Sequence, residues 1–484
     1  MRIVRGMKTY TTTIGLEIHA ELKTASKMFC NSKNDANELR PNVNICPICM
    51  AHPGTLPVIN REAVTKVLKV GVALGSTLAD YTEFDRKNYF YPDLPKGYQL
   101  SQFEYPLVSG GMLNDVALTR IHLEEDTASS IHDDVSGATL VDYNRAGVPL
   151  MELVTDPVIH SAAQAVAFGQ ELQLLLRTLG VSDADMEKGQ MRLEANVSIS
   201  ATETLGTKVE LKNINSFRTM ERAIEYEIKR HQALLEEGKS ITQETRGWDE
   251  NKQQTFSQRI KEGSADYRYF PDPDLPSMRL SETDEYSRET LLKGMPELPW
   301  ERRTRYQAGG IRAEDAELYI REDAYGEFFD SVSKSLSGKE SSVRTASNYI
   351  ANDLVSIIRD ITNRDTVLRG DIKISPDNFA KIIVLLEEKK ISSRSAKDIL
   401  MLCSQDKSDP ELVAKEKGLY QEFDTNKLTE IVAKIILDNP SVVEDYKGGK
   451  LPALEYLVGQ GMKALRGAAD AAVIRDLFRK SLDA

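Results

Sequence analysis

The stretch Thr13-Ile-Gly-Leu-Glu-Ile-His19 alternates apolar and polar residues. Side chains along a strand point to opposite faces in turn, so Ile14, Leu16 and Ile18 share one face and Glu17 and His19 the other. An apolar face must be covered by other elements. A carboxylate beside an imidazole on a pleated surface suits a divalent metal or acid–base chemistry. It also suits the exposed polar face of an edge strand, and the segment alone leaves both readings open.

Working outward, more strands of the same kind appear. Strands are predicted over 117–123, 140–143, 191–199 and 208–212. In 191–199, Met191, Leu193, Ala195, Val197 and Ile199 alternate with Arg192, Glu194, Asn196 and Ser198. Glu210 shares a face with Lys208 and Lys212. These polar faces either line one cavity across a shared sheet or face solvent. Helices are predicted over 61–78, over 161–179 with Ser161 as its cap, and over 218–237. The pattern predicts an α+β unit with a mostly antiparallel sheet. From Pro296 onward the text turns helical, with a linker expected at 407–410. The expected domains are 1–294, an all-helical 295–409, and a small helical tail 410–484.

The chain has 484 residues, 41% of them hydrophobic and 28% charged, which is ordinary for a globular protein of several domains. Its net charge of −12 argues against a general nucleic-acid coat protein and leaves room for local basic patches. No run of about 18 apolar residues predicts a membrane span, and the first ten residues do not read as a signal peptide. Four cysteines in 484 residues fit a reducing cytoplasm.

Several segments carry candidate chemistry. Arg120-Ile-His-Leu-Glu-Glu-Asp126 ends a strand in three acids, either ligands for Mg²⁺ or a solvated turn. Glu152 is the one charge in the apolar run Gly147–Val154, where a lone carboxylate is costly unless paired or metal-bound. The segment Phe84–Lys96 mixes aromatic, basic and proline residues that suit a nucleotide or a structural loop. Neither common phosphate-binding glycine motif is present. Cys30 and Cys46-Pro-Ile-Cys49 suggest a zinc knuckle one ligand short, with His52 a substitute, or simply small buried residues. Glycines beside Lys450, Lys463 and Arg466 suit either phosphate contact or helix caps.

Together, Ile14-Gly-Leu-Glu-Ile-His19, Phe84-Asp-Arg-Lys-Asn-Tyr-Phe-Tyr-Pro-Asp93, His122-Leu-Glu-Glu-Asp126, Asp142-Tyr-Asn-Arg145, Glu210-Leu-Lys-Asn-Ile-Asn-Ser-Phe217 and Asp266-Tyr-Arg-Tyr-Phe-Pro-Asp272 closely resemble one family. It is the B-subunit family of the aspartyl/glutamyl-tRNA amidotransferases, and the resemblance runs in order along essentially the whole chain. It implies a cradle-like α+β domain, a helical domain and a tRNA-contacting tail. It implies a cytoplasmic enzyme that uses ATP and Mg²⁺ to phosphorylate the side-chain carboxylate of misacylated Glu-tRNA(Gln) or Asp-tRNA(Asn). Ammonia from an amidase A subunit then displaces the phosphate, and a small C subunit clamps the other two.

Carried over, the resemblance implies His19, Glu125 and Glu152 as metal ligands, with Glu17 and Glu125 as catalytic groups. Strand alternation points to Glu124 instead unless the strand ends there. The nucleotide-binding residues implied are Lys87, Asn88, Tyr89 and Arg145, and the tRNA-binding residues Lys450, Lys463 and Arg466. Zinc-bearing members show Cys-x-Cys ahead of the Cys-x-x-Cys, where this chain has Cys30-Asn-Ser32. Cys30, Cys46 and Cys49 are therefore one thiolate short of that zinc set. The competing reading from another class is a non-catalytic scaffold that only positions tRNA.

Overall fold

The structure is a computed structural model and describes residues 9–35, 37–133, 135–260, 267–337, 339–421, 425–465 and 471–483. The chain divides into two compact units, Met1–Pro299 and Trp300–Ala484.

A ten-stranded sheet organises the first unit. At its middle lies Thr11–Glu21, paired antiparallel with Pro149–Thr155 on one side and Met191–Ser200 on the other. The sheet continues past Pro149–Thr155 to Val116–Glu125 and past Met191–Ser200 to Val209–Ile214. Beyond Val209–Ile214 comes Glu244–Asp249, the sheet's one parallel neighbour among the described pairs. A parallel pair needs a crossover, and the helix Phe217–Glu236 supplies it.

The apolar face forms the core. Ile14, Leu16, Ile18 and Ala20 are buried with Met151, Leu153, Leu193, Ala195 and Val197, their partners across the strands. The helices Ala162–Thr178 and Phe217–Glu236 pack against each other, and the latter lies on Met191–Ser200. Gly169 permits the close approach, because a Cβ there would lie 2.8 Å from both Leu193 and Phe217. Ser161 and Ser216 cap the two helices through their hydroxyl oxygens, which accept from the Gln164 and Thr219 N–H groups. The helix expected over 61–78 stops at Ala73. Gly75 takes a positive φ of 69° there, and Thr77–Leu78 turns into a strand instead.

The segment Phe84–Lys96 is more ordered than a loop. Asp85–Asn88 forms a small antiparallel sheet with Tyr98–Ser101 and Phe270–Pro271. This sheet lies beside Val116–Glu125. The Leu100 N–H donates to Glu125 Oε1 at 2.9 Å, and Ser101 Oγ donates to Glu124 Oε2 at 3.3 Å.

The second unit is helical from Pro299–Ala308 onward. Lys407 turns with a positive φ, and Asp409 caps the helix Pro410–Glu416, which packs on Pro376–Glu387 and Ser393–Asp406. Residues 407–410 are thus a turn between packed helices rather than a linker. The last helices, Thr425–Asp438 through Ala471–Leu482, build a core of their own around Leu428, Val432, Leu454, Leu457, Ile474 and Phe478. Among the described residues, no helix is long and apolar enough to cross a membrane.

Candidate active site on the polar face of the sheet

Sheet register sets the site. His19 stands opposite Glu152 on one side and Arg192 on the other, and Glu152 stands opposite His122. One row across four strands therefore reads Arg192, His19, Glu152, His122. One step along the same face Glu17 stands opposite Glu194, and one step further Asn196 stands opposite Glu210 on the next strand. The polar faces seen in sequence line one surface.

Side chains converge on His19. Its Nε2 lies 3.3 Å from Glu152 Oε2, 3.4 Å from Glu124 Oε1 and 3.9 Å from Glu17 Oε1. His122 Nε2 lies 3.5 Å from the same Glu152 oxygen, and Arg120 approaches its other oxygen at 3.7 Å. Ligand atoms of Glu17, His19 and Glu152, and of His122, Glu124 and Glu152, are close enough to share an ion. The Nδ1 of buried His122 has no hydrogen-bond partner among the described residues.

The electrostatics follow from crowding. Burial opposes charge on His19, but Glu152, Glu124 and Glu17 outweigh it and hold the imidazole up at about 9. Burial and the like charges of Glu152 and Glu194 push Glu17 up to about 7. Burial pushes His122 down to about 4 and raises Glu124. Glu152 is also buried, yet His122 and His19 hold it well below the usual carboxylate range. Carboxylates gathered around one imidazole, with hard oxygen donors on three strands, suit a divalent cation.

Glu125 stands apart from this cluster. The strand runs unbroken to Glu125, so alternation turns its side chain away. Its Oε1 pairs with Lys96 Nζ at 2.6 Å. The carboxylate that joins His19 and Glu152 is Glu124.

Residues 12–285 match the family model of the GatB/GatE catalytic domain, and residues 327–482 that of the GatB domain. A protein of Thermomicrobium roseum, named as the B subunit of aspartyl/glutamyl-tRNA(Asn/Gln) amidotransferase, is 42% identical over 490 residues, covering 98% of this chain and 99% of its own length. Proteins of the same name from Clostridium beijerinckii and Thermus thermophilus are each 41% identical, with the same shares covered. The chain belongs to this amidotransferase B-subunit family.

The other residues that the family resemblance implied fall as follows. Lys87 faces the cluster. Burial works against its charge, but Glu124, Tyr269 and Glu152 raise it. Its Nζ also sits 5.3 Å from the centre of the Tyr267 ring. Asn88 serves the chain itself, donating to the Tyr267 and Arg268 carbonyls at 3.1 and 2.8 Å. Tyr89 donates to Gln99 at 3.1 Å. Arg145 donates to the Thr127 and Ala128 carbonyls and lies 3.5 Å from Asp126. Strand alternation already points to Glu124, whereas Arg192 and Glu194 stand in the sequence on a polar face without a site role. Their signal was the register, which only pairing reveals.

The sulfurs of Cys30, Cys46 and Cys49 lie within 4.8 Å of one another, and no imidazole or carboxylate among the described residues completes the set. His52 is exposed. Ser32 Oγ lies 3.7 Å from Cys49 Sγ, where a fourth thiolate would be needed. The fully buried Lys27 places its ammonium 3.6 Å from Cys49 Sγ. Three sulfurs, one of them already facing a lysine and with a serine where the fourth thiolate would stand, do not fit a closed four-ligand zinc site. The hydrogen bond from the Cys30 thiol and the nearby Lys27 lower the Cys49 thiol, whereas donating that bond raises Cys30. In the tail, Lys450 is exposed and pairs with Asp445 at 2.8 Å, and Lys463 is exposed. Arg466 lies outside the described residues.

Proposed function

We propose that the chain is the carboxylate-activating component of a cytoplasmic, glutamine-dependent tRNA amidotransferase. It acts with an amidase A subunit and a small C subunit on misacylated Glu-tRNA(Gln) or Asp-tRNA(Asn). The observation that carries this reading is the His19–Glu152–Glu124–Glu17 cluster, inside the span that matches the catalytic-domain family.

In this reading a side-chain carboxylate oxygen of the aminoacyl-tRNA attacks the γ-phosphorus of ATP. The bond to ADP breaks and an acyl phosphate forms. Ammonia then attacks the acyl carbon, and phosphate leaves. Both reactants of the first step are anions. Mg²⁺ bound by Glu124, Glu152 and His19 would neutralise their charge. His19 Nε2 holds a proton among the carboxylates, and that proton competes with a cation for the same place. Lys87 faces these carboxylates and is suited to the phosphate oxygens. Burial of Glu124, Glu152 and His122 keeps water sparse, which protects an acyl phosphate from hydrolysis.

The test is reconstitution with the two partner proteins and misacylated tRNA. Phosphate release and amidated tRNA should both require ATP. Tight tRNA binding with no ATP-dependent phosphate release would establish the scaffold reading instead.

A further inference from the structure

The cysteine cluster lies outside the carboxylate site and has no part in the reaction proposed above. Cys46 and Cys49 bracket a tight turn, with the Met50 N–H donating to the Cys46 carbonyl at 3.1 Å. The two sulfurs lie 3.9 Å apart, and the Cys46 N–H donates to Cys49 Sγ at 3.1 Å. Lys27 Nζ lies 3.6 Å from that sulfur and donates to the Tyr143 carbonyl at 3.0 Å. Its burial is complete, and a buried ammonium is costly unless an anion answers it. The Cys49 thiol faces it directly and can become that anion. A cavity of about 300 Å³, lined by Cys30, Cys49, His52, Lys96 and Glu125 among others, gives a small reagent access. Cys46 is only half-buried.

We propose that Cys46 and Cys49 are a metal-free, redox-active dithiol that closes to a disulfide by exchange with a low-molecular-weight disulfide of the glutathione class. Cys49, as the thiolate paired with Lys27, attacks one sulfur of that disulfide. A mixed disulfide forms and one small thiolate leaves. Cys46 gives up its proton, its sulfur attacks Cys49 Sγ, and the second small thiolate leaves. Two protein thiols are oxidised and one small disulfide is reduced to two thiols. The sulfurs need only close from 3.9 Å to about 2 Å, within reach of side-chain rotation. In a reducing compartment such a bond is transient, as a redox-sensing pair requires.

The experiment uses the full chain purified without chelator. Its zinc content is measured, and its thiols are trapped by alkylation after equilibration over a range of reduced-to-oxidised glutathione ratios. We expect substoichiometric zinc and a reversible loss of two alkylatable thiols, with a Cys46–Cys49 cross-linked peptide. Cys46→Ser should instead stop at a mixed disulfide on Cys49. Lys27→Gln should slow alkylation of Cys49 at neutral pH by about tenfold. The Cys46→Ser result stands even if Lys27→Gln fails to fold. One zinc per chain shielding all three thiols would overturn the proposal. So would a Cys30–Cys49 bond in place of Cys46–Cys49, or thiols that stay reduced at every ratio.

Discussion

At the scale of single residues, the pair Glu124 and Glu125 divides two jobs between neighbours. Glu124 faces His19 and Glu152, and Glu125 faces Lys96 and the Leu100 N–H. If the cluster neutralises charge in phosphoryl transfer, losing one of its carboxylates removes several kcal/mol of transition-state stabilisation, a rate loss of about a hundredfold or more. Glu124→Gln and Glu152→Gln should therefore lower amidation by at least that much in the reconstituted complex. The partner's glutaminase activity should remain measurable. Glu125→Gln should leave the Mg²⁺ requirement unchanged and lower the melting temperature. An unchanged amidation rate in Glu124→Gln would remove Glu124 from the site. The division was legible in advance through alternation, once the strand is known to run as far as residue 125. Lys27 was not legible. Nothing in Ser26-Lys-Met-Phe-Cys30 marks a lysine that goes fully inside, because its burial depends on chain from Tyr143 and Cys49.

At the scale of elements, long periodic segments announced themselves, as did the short strands near 140 and 210, and other short ones did not. The strands at 11–21 and 191–200 and the helices at 162–178 and 217–236 lie within a residue or two of their expected bounds. Asp85-Arg-Lys-Asn88 has no apolar alternation to read, and its pairing partners come from Tyr98–Ser101 and Phe270–Pro271. The crossover helix Phe217–Glu236 is fastened by one buried carboxylate. Arg230 donates to Glu227 at 2.8 Å, Arg246 lies 3.2 Å away, and Thr255 donates from the strand Gln254–Ile260, which pairs with Glu244–Asp249 at the sheet's edge. Burial alone would raise Glu227, but His231 at 3.1 Å and hydrogen bonds from Arg230 and Thr255 hold it down at about 2. A carboxylate lowered by folding stabilises the folded state above its unfolded value near 4.5. That contribution fades as pH falls from there towards 2, and amounts to about 3 kcal/mol at neutral pH. Glu227→Gln should shift the denaturant midpoint strongly at pH 7. The gap from the parent chain should narrow steadily below pH 4.5. A gap independent of pH would mean that the carboxylate's charge contributes nothing.

At the scale of the whole molecule, the acidity that argued against a nucleic-acid coat is partly accounted for by carboxylates drawn into the sheet face. On the proposed function, reading tRNA would rest on local features such as the exposed Lys450 and Lys463 in a tail with its own core. Removing residues 425–484 should raise the KM for tRNA far more than the KM for ATP. With few phosphate contacts, the tRNA KM of the intact chain should depend only shallowly on salt. Equal tRNA KM with and without the tail would contradict this. The central position of Thr11–Glu21 has another consequence, which concerns birth rather than chemistry. Its two neighbours lie at 149–155 and 191–200, so this strand leaves the ribosome well before either of them. Until both have emerged, Ile14, Leu16, Ile18 and Ala20 lack one or both of the strands that flank them in the sheet. Such distant pairing makes folding slow and leaves sticky intermediates. The nascent chain should therefore depend on holding chaperones until the Met191–Ser200 strand has emerged.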